Sequence, residues 1–378
     1  MEQQSADIAK RPLQLIALSI EQDRFRLVAV NPNGTELLDS VPVRGRDHYP
    51  HDVVPGCMSH LTLRHAGPFL YLTHGGDGGE PTRIYSSADQ GKTLVRVEPP
   101  PSTSLVREVN SGPDGTLVAV DDWRAQEASN AVWVRPPSGP WSRIALPKGF
   151  RAEAVSQTSH GKTYVAGGQL PNTGSDSDPS RHGRATTGWA HEALAVVGTD
   201  GIQILRPNLV AAVAAKIRGS WKYAEHLEGV DAVNEPLVIL TRWRDFGGHC
   251  VLIADEPHWN HLDEQLLEPV VFRESRDVIA VYDGIKPRRF RTTDRGKTWE
   301  ITDLGPAVRR ALSNGLGDSG NERFVVPDVA ARGSVIALIV RPLGSSSDAI
   351  IASSDGGKTY DAIAPLGSRK YQRLCLIE

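Results

Sequence analysis

Cysteine, methionine and aromatic residues are scarce in this chain, and neither sign of charge dominates it. The three cysteines, Cys57, Cys250 and Cys375, are odd in number and far apart, with no Cys-x-x-Cys pair. That spacing argues against a disulfide framework, and the missing Cys-x-x-Cys pair argues against a thiolate metal site. It favours reduced, buried thiols, and with them a cytoplasmic location. The 42 basic and 45 acidic side chains leave a formal net charge of −3, so the footprint of a nucleic-acid or membrane-surface binder is missing. Long apolar runs are missing too: Leu13–Ile20 and Val335–Val340 are strand-sized, far short of a bilayer span. Residues 1–12 carry Glu2, Asp7, Lys10 and Arg11 and no apolar stretch of the kind an export signal needs. The expectation is an N-terminal tail over 1–12 and one domain over 13–378.

Glycine and proline are plentiful, with Gly 36 and Pro 26 beside 39% hydrophobic residues, a composition suited to many short strands joined by turns. One octapeptide occurs three times: Ser87–Leu94 (SADQGKTL), Thr292–Trp299 (TTDRGKTW) and Ser353–Tyr360 (SSDGGKTY). Each copy lies between two apolar segments. The Ser or Thr and the Asp can accept hydrogen bonds from backbone N–H groups of a tight turn, and the glycine can take a positive φ. The Thr and the large residue after it then start the outgoing strand, where the ring can face inward. The repeat is therefore a hairpin staple with no chemistry of its own.

This pattern resembles the Asp-box, or bacterial neuraminidase repeat, of sialidases and many unrelated β-propellers. The resemblance implies a propeller in which Asp89, Gly91, Thr93, Asp294, Gly296, Thr298, Trp299, Asp355, Gly357 and Thr359 are structural residues. Weaker turns at Asn31–Gly34, Pro136–Pro140, Thr199–Gly201 and Asp255–His258 bring the hairpins to seven, or 378/7, about 54 residues per unit. The expected fold is all-β, a seven-bladed β-propeller of four-stranded antiparallel blades. Blade one lacks an inner strand, and the spare C-terminal segment Tyr371–Ile377 is expected to supply it, closing the ring and removing free sheet edges. The first strand of blade seven is expected over Arg323–Val329. Insertions are expected near 169–192, 206–226 and 305–321. Two of these carry short amphipathic helices, one over Asn208–Ile217 and one from Pro306 to Asn314-Gly315, whose apolar stripes are expected to pack on the rim.

In such a strand order the Asp-box turns occupy one face. The loops from second to third strands, and the blade-to-blade connections, share the other, and the unusual segments fall there. They include Arg44–Pro55 with His48 and Tyr49, Asp121–Asn130 with Trp123 and Arg124, and Arg242–His249 with Arg242, Trp243, Arg244 and Phe246. Loops on a rigid scaffold are the usual place for binding, and these aromatic and arginine residues are the candidate binding set. Similarity to sialidases would also imply an early Phe/Tyr-Arg-Ile-Pro motif, but Arg11-Pro12-Leu13 departs from it, and those domains are six-bladed. A hydrolase using paired carboxylates would draw on Glu80, Asp121, Asp122, Asp245 and Asp283. His48 and His51 beside Asp47 and Asp52 match no metal spacing, Gly75–Glu80 (GGDGGE) is neither an EF-hand nor a P-loop, and no Gly-x-Ser-x-Gly elbow occurs. No metal and no cofactor is expected. The function expected is binding of a macromolecular partner, a protein first, including a toxin held by a dedicated inhibitor. Carbohydrate is the alternative ligand, handled by a glycoside hydrolase on the same face.

Overall fold

The structure, a computed structural model, describes residues 13–21, 24–31, 34–42, 61–74, 82–101, 106–112, 114–121, 131–147, 150–157, 163–169, 191–198, 201–206, 221–231, 236–244, 249–255, 258–261, 270–274, 277–281, 288–292, 298, 300–316, 324–332, 334–342, 348–364 and 369–377. Their strands form seven antiparallel sheets. Sheet one orders Tyr371–Ile377, Gln14–Glu21, Arg24–Asn31 and Gly34–Pro42; sheet two follows with Leu61–Ala66, Phe69–His74, Arg83–Ser87 and Val95–Val97. Sheet three holds Val106–Ser111, Leu117–Asp121, Ala131–Arg135 and Ser142–Ala145. Sheet four holds Phe150–Gln157, Thr163–Gln169, His191–Gly198 and Gly201–Arg206. Sheet five comprises Trp221–Asp231, Pro236–Arg244, His249–Asp255 and His258–His261, and sheet six Val270–Glu274, Asp277–Val281, Arg288–Thr292 and Glu300–Asp303. Sheet seven places Phe324–Val325 and Val329–Arg332 beside Val335–Pro342, followed by Ala349–Ser353 and Asp361–Ala364.

The apolar runs sit where both faces of a strand are covered. Gln14–Glu21 and Val335–Pro342 are buried almost throughout, whereas the fourth strands Ser142–Ala145 and Glu300–Asp303 are mostly exposed. The core accordingly lies between consecutive sheets. Ile16, Leu18 and Leu27 of sheet one pack with Leu63, Leu70 and Leu72 of sheet two. Leu15 and Val28 pack with Ile339 and Ile350 of sheet seven. Ala119 and Trp133 of sheet three pack with Tyr71 and Ile84 of sheet two, and Val118 and Val132 with Val155 and Val165 of sheet four.

First strands of successive sheets lie side by side from sheet three through seven, then to Tyr371–Ile377, and from there to Leu61–Ala66. Polar side chains join several of them. Arg64 donates to Asn110 Oδ1 (2.6 Å), Asn110 donates to the Val155 carbonyl (3.2 Å), and Arg373 Nε donates to the Leu61 carbonyl (2.7 Å). The C-terminal strand pairs antiparallel with Gln14–Glu21, with Cys375 opposite Ile16 and Ile377 opposite Gln14. That is the pairing expected for Tyr371–Ile377.

Three expectations need correction. The first strand of sheet seven, expected as one run over Arg323–Val329, is two short strands interrupted at Val326–Asp328, because Pro327 has no N–H to give the ladder. The segment Arg242–His249, expected as a loop, contributes Arg242, Trp243, Arg244 and His249 to strands. No glycine or proline stops the Pro236–Arg244 ladder before Gly247. The strands leaving the two described octapeptide turns begin at Val95 and Asp361, just after Leu94 and Tyr360.

The helix expected from Pro306 spans Gly305–Leu316. Asp303 Oδ1 accepts the Gly305 N–H (2.8 Å), and the first helical bond runs from Val308 N–H to the Leu304 carbonyl (2.9 Å). Val308, Ala311 and Leu312 bury against Phe324, Leu338 and Ile351 of sheet seven, as the rim-packing expectation required. The helix expected over Asn208–Ile217 lies outside the described residues. No described helix is long and apolar enough to cross a membrane.

Candidate functional site

The octapeptide turns have the geometry their residues dictate. Ser87 Oγ donates to Asp89 Oδ1 (2.7 Å) and accepts the Gly91 N–H (2.7 Å), while Asp89 Oδ1 accepts the Thr93 N–H (2.8 Å). The third copy repeats this: Asp355 accepts Ser353 Oγ (2.7 Å), the N–H groups of Lys358 (2.9 Å) and Thr359 (3.0 Å), and Thr359 Oγ1 (2.7 Å). Gly91 and Gly357 take φ values of 90° and 86°. Hydrogen bonds from Ser87 and Thr93 hold the Asp89 carboxyl below its ordinary range, and those from Thr359 and Ser353 do the same to Asp355. Asp294, Gly296 and Trp299 of the middle copy lie outside the described residues, and Thr298 is exposed.

Each described turn is also fixed to the preceding sheet. Asp39 of sheet one accepts the Leu94 N–H at 2.7 Å, and the Gly91 position sits against Leu38 and Leu70. Arg289 of sheet six, 7% exposed, donates to the Gly356 carbonyl of the sheet-seven turn. Tyr360 faces inward at 6% exposure, and burial raises its hydroxyl to about 12. The end that carries these turns is therefore built for cohesion between sheets.

Antiparallel alternation sends the second-to-third connections and the sheet-to-sheet connections out of the opposite end. The long gaps in the ladders fall there, after Pro42, His74, Asp121, Gln169 and Arg206. At sheets one and seven, charges at this end join neighbouring strands. Glu21 pairs with Arg26 (2.9 Å) and with Arg369 (3.0 Å). Asp348, 0% exposed, accepts Arg341 Nε (2.7 Å), Arg341 Nη2 (2.8 Å) and the Tyr371 N–H (2.7 Å), tying sheet seven to the C-terminal strand.

Of the expected site residues, Glu80, Asp122, Asp245, Asp283, Trp123, Arg124, Phe246, His48 and Tyr49 lie outside the described residues. Asp121 ends the second strand of sheet three, opposite Val106. Arg242, Trp243 and Arg244 form the end of the second strand of sheet five. There the register sets Arg242 opposite Ala224 and Cys250, Trp243 opposite Tyr223 and His249, and Arg244 opposite Trp221. Trp221, Tyr223 and His249 are thus additions that the sequence reading missed. The available signal was the Trp-x-Tyr segment just after Gly219-Ser220 and the His just after Gly247-Gly248, each a strand start. Among the described residues no group of three or more His, Cys, Asp or Glu is placed to hold a metal ion.

No protein-family profile and no curated protein matches the chain. Solved structures do match in shape. A prolyl endopeptidase is similar at TM-score 0.52 and 11% identity over 93% of this chain and 54% of its own. A putative 6-phosphogluconolactonase from Bacteroides uniformis is similar at TM-score 0.51 and 10% identity over 97% of this chain and 99% of its own. The β-propeller domain of the trilobed protease from Pyrococcus furiosus, described with an open velcro topology, gives TM-score 0.49 at 9% identity over 94% and 98%. Likeness at such identities concerns the fold alone.

Proposed function

We propose that the chain is a seven-bladed β-propeller of the Asp-box type, closed by its C-terminal strand, and that it works as a non-enzymatic binding protein. Seven antiparallel sheets, six of four strands and one of five, with cores between sheets seven and one and between one and two, and a ladder that joins the C-terminal strand to Gln14–Glu21 in sheet one, support the architecture. The partner is a protein held on the loop-bearing end, in the cytoplasm; a toxin held by this chain as its inhibitor fits that description. One observation carries the reading. The long connections between strands after Pro42, Gln169 and Arg206 leave from the end opposite the Asp-box turns.

The test is quantitative capture of the partner from native lysate by the wild-type chain and by a variant with Trp123, Arg124, Trp243 and Arg244 replaced by alanine. Loss of one defined partner is expected, with the melting temperature kept. Equal capture by both chains sinks the assignment of the face. Turnover of a chromogenic glycoside that disappears in Asp121→Asn or Asp245→Asn would replace binding with the carboxylate-pair hydrolase.

A further inference from the structure

We infer that the loop-bearing corner of sheet five docks an acidic segment of the partner protein, an inference that rests on the reading of that end as a protein-binding face. Strand register places the residues. Tyr223, Trp243 and His249 are direct cross-strand partners and so form one row on one face of the sheet. Arg244 lies one step nearer the strand end, opposite Trp221, and Arg242 one step further in. The register shifts between Trp221 and Tyr223, which leaves Lys222 as the extra residue of a bulge, a device that re-aims a strand end.

The three terminal rows therefore carry two fixed cations, Arg242 and Arg244, and no carboxylate among their paired residues; Lys222 in the first bulge adds a third cation, and Glu225, the extra residue of the next bulge inward, is the single carboxylate beside them. The whole chain, by contrast, has a formal charge of −3. A local excess of this kind complements an acidic partner, and arginine can meet a carboxylate through two parallel hydrogen bonds. Tryptophan, tyrosine and arginine are also the residue types that dominate binding energy at protein interfaces. Single-stranded nucleic acid would use the same types, but it needs a basic groove along a phosphate backbone, and three cations on an acidic chain fall short of one.

The experiment uses the full chain and a fluorescein-labelled peptide of repeated Glu-Glu-Tyr units, followed by anisotropy at low and high salt. The wild type is expected to bind saturably and to weaken as salt rises. The Arg242→Glu/Arg244→Glu variant is expected to lose about tenfold in affinity. A control, Arg96→Glu/Arg143→Glu on exposed outer strands of sheets two and three, is expected to bind as the wild type does. Circular dichroism and melting temperature verify that both variants fold. Absent saturable binding, equal loss in the control, or tighter binding of labelled oligothymidylate overturns the inference. The lysate partner separates the two levels: if Arg242→Glu/Arg244→Glu retains it while Trp123→Ala/Arg124→Ala loses it, this corner is wrong and the face is right. If both retain it, the face itself is wrong.

Discussion

Asp328 accepts the backbone N–H of Leu374 at 2.6 Å, across the junction between the interrupted first strand of sheet seven and the C-terminal strand of sheet one. The same residue accepts the Ile339 N–H through its own carbonyl at 3.0 Å, so it is anchored in sheet seven while its side chain reaches sheet one. Asp328→Ala leaves a buried N–H without this acceptor and is expected to cost about 1–3 kcal/mol in urea denaturation. Asp328→Asn keeps an oxygen there and is expected to cost less. Equal losses for the two would show that the acceptor bond contributes nothing.

Removing residues 371–378 takes away the whole ladder opposite Gln14–Glu21 and exposes a sheet edge. The expected outcome is aggregation or loss of cooperative unfolding, read by light scattering and a thermal melt. An unchanged melting temperature would overturn the closing role of this strand.

Hydrogen bonds within the turns hold the carboxyls of Asp89 and Asp355 below the ordinary carboxylate range in the folded chain. The unfolded state then binds more protons than the folded one as acid is added, so stability from these turns is fully present above the ordinary carboxylate range. It is lost as pH falls through about 4 toward the depressed folded values. The double variant Asp89→Asn/Asp355→Asn is expected to be less stable at neutral pH and to show a flatter decline of stability below pH about 4. Acid titrations of unfolding free energy would read this directly; identical slopes for both chains would contradict it.

Local features were legible in the sequence because their partners lie within one turn. Ser353, Asp355, Gly357 and Thr359 bond to one another within seven residues, and the octapeptide spacing alone announces the staple. The attachments between sheets were not legible. Asp39 meets Leu94, Asp328 meets Leu374 and Arg289 meets Gly356 only because the sheets stack, and no period in the sequence links such positions. At the candidate site the residue types were readable, and their register was not. Trp243 and Arg244 looked like loop residues beside Gly247-Gly248, yet the ladder carries them to the strand end, opposite Tyr223 and Trp221.

Two neighbouring glycines separate backbone strain from crowding. Gly356 and Gly357 both have positive φ, 75° and 86°. A Cβ on Gly356 would meet nothing within 4 Å, whereas one on Gly357 would lie 2.9 Å from Arg289 Nη1 and 3.0 Å from the Tyr360 hydroxyl. Gly356→Ala is expected to cost about 1–2 kcal/mol, the left-handed penalty alone. Gly357→Ala must also displace a buried guanidinium and a buried ring, and it is expected to cost about 1–3 kcal/mol more. Equal costs, measured by denaturant midpoint at constant m, would mean that Arg289 yields freely.

The Cys375 thiol reports on the same C-terminal strand. It is free and buried opposite Ile16, and burial raises it to about 12, so at pH about 8 the reactive thiolate is almost absent. In a Cys57→Ser/Cys250→Ser background the native chain is expected to resist a disulfide-exchange reagent, and the denatured chain to react at once. Because the strand is held by Asp328 at Leu374, the adjacent residue, Asp328→Ala should raise the labelling rate. The rise should exceed the rise in global unfolding rate, which is the signature of local opening at the C-terminal strand. A rate that follows global unfolding in every variant would place Cys375 in a unit that opens only with the whole fold, and would deny the C-terminal strand any independent motion.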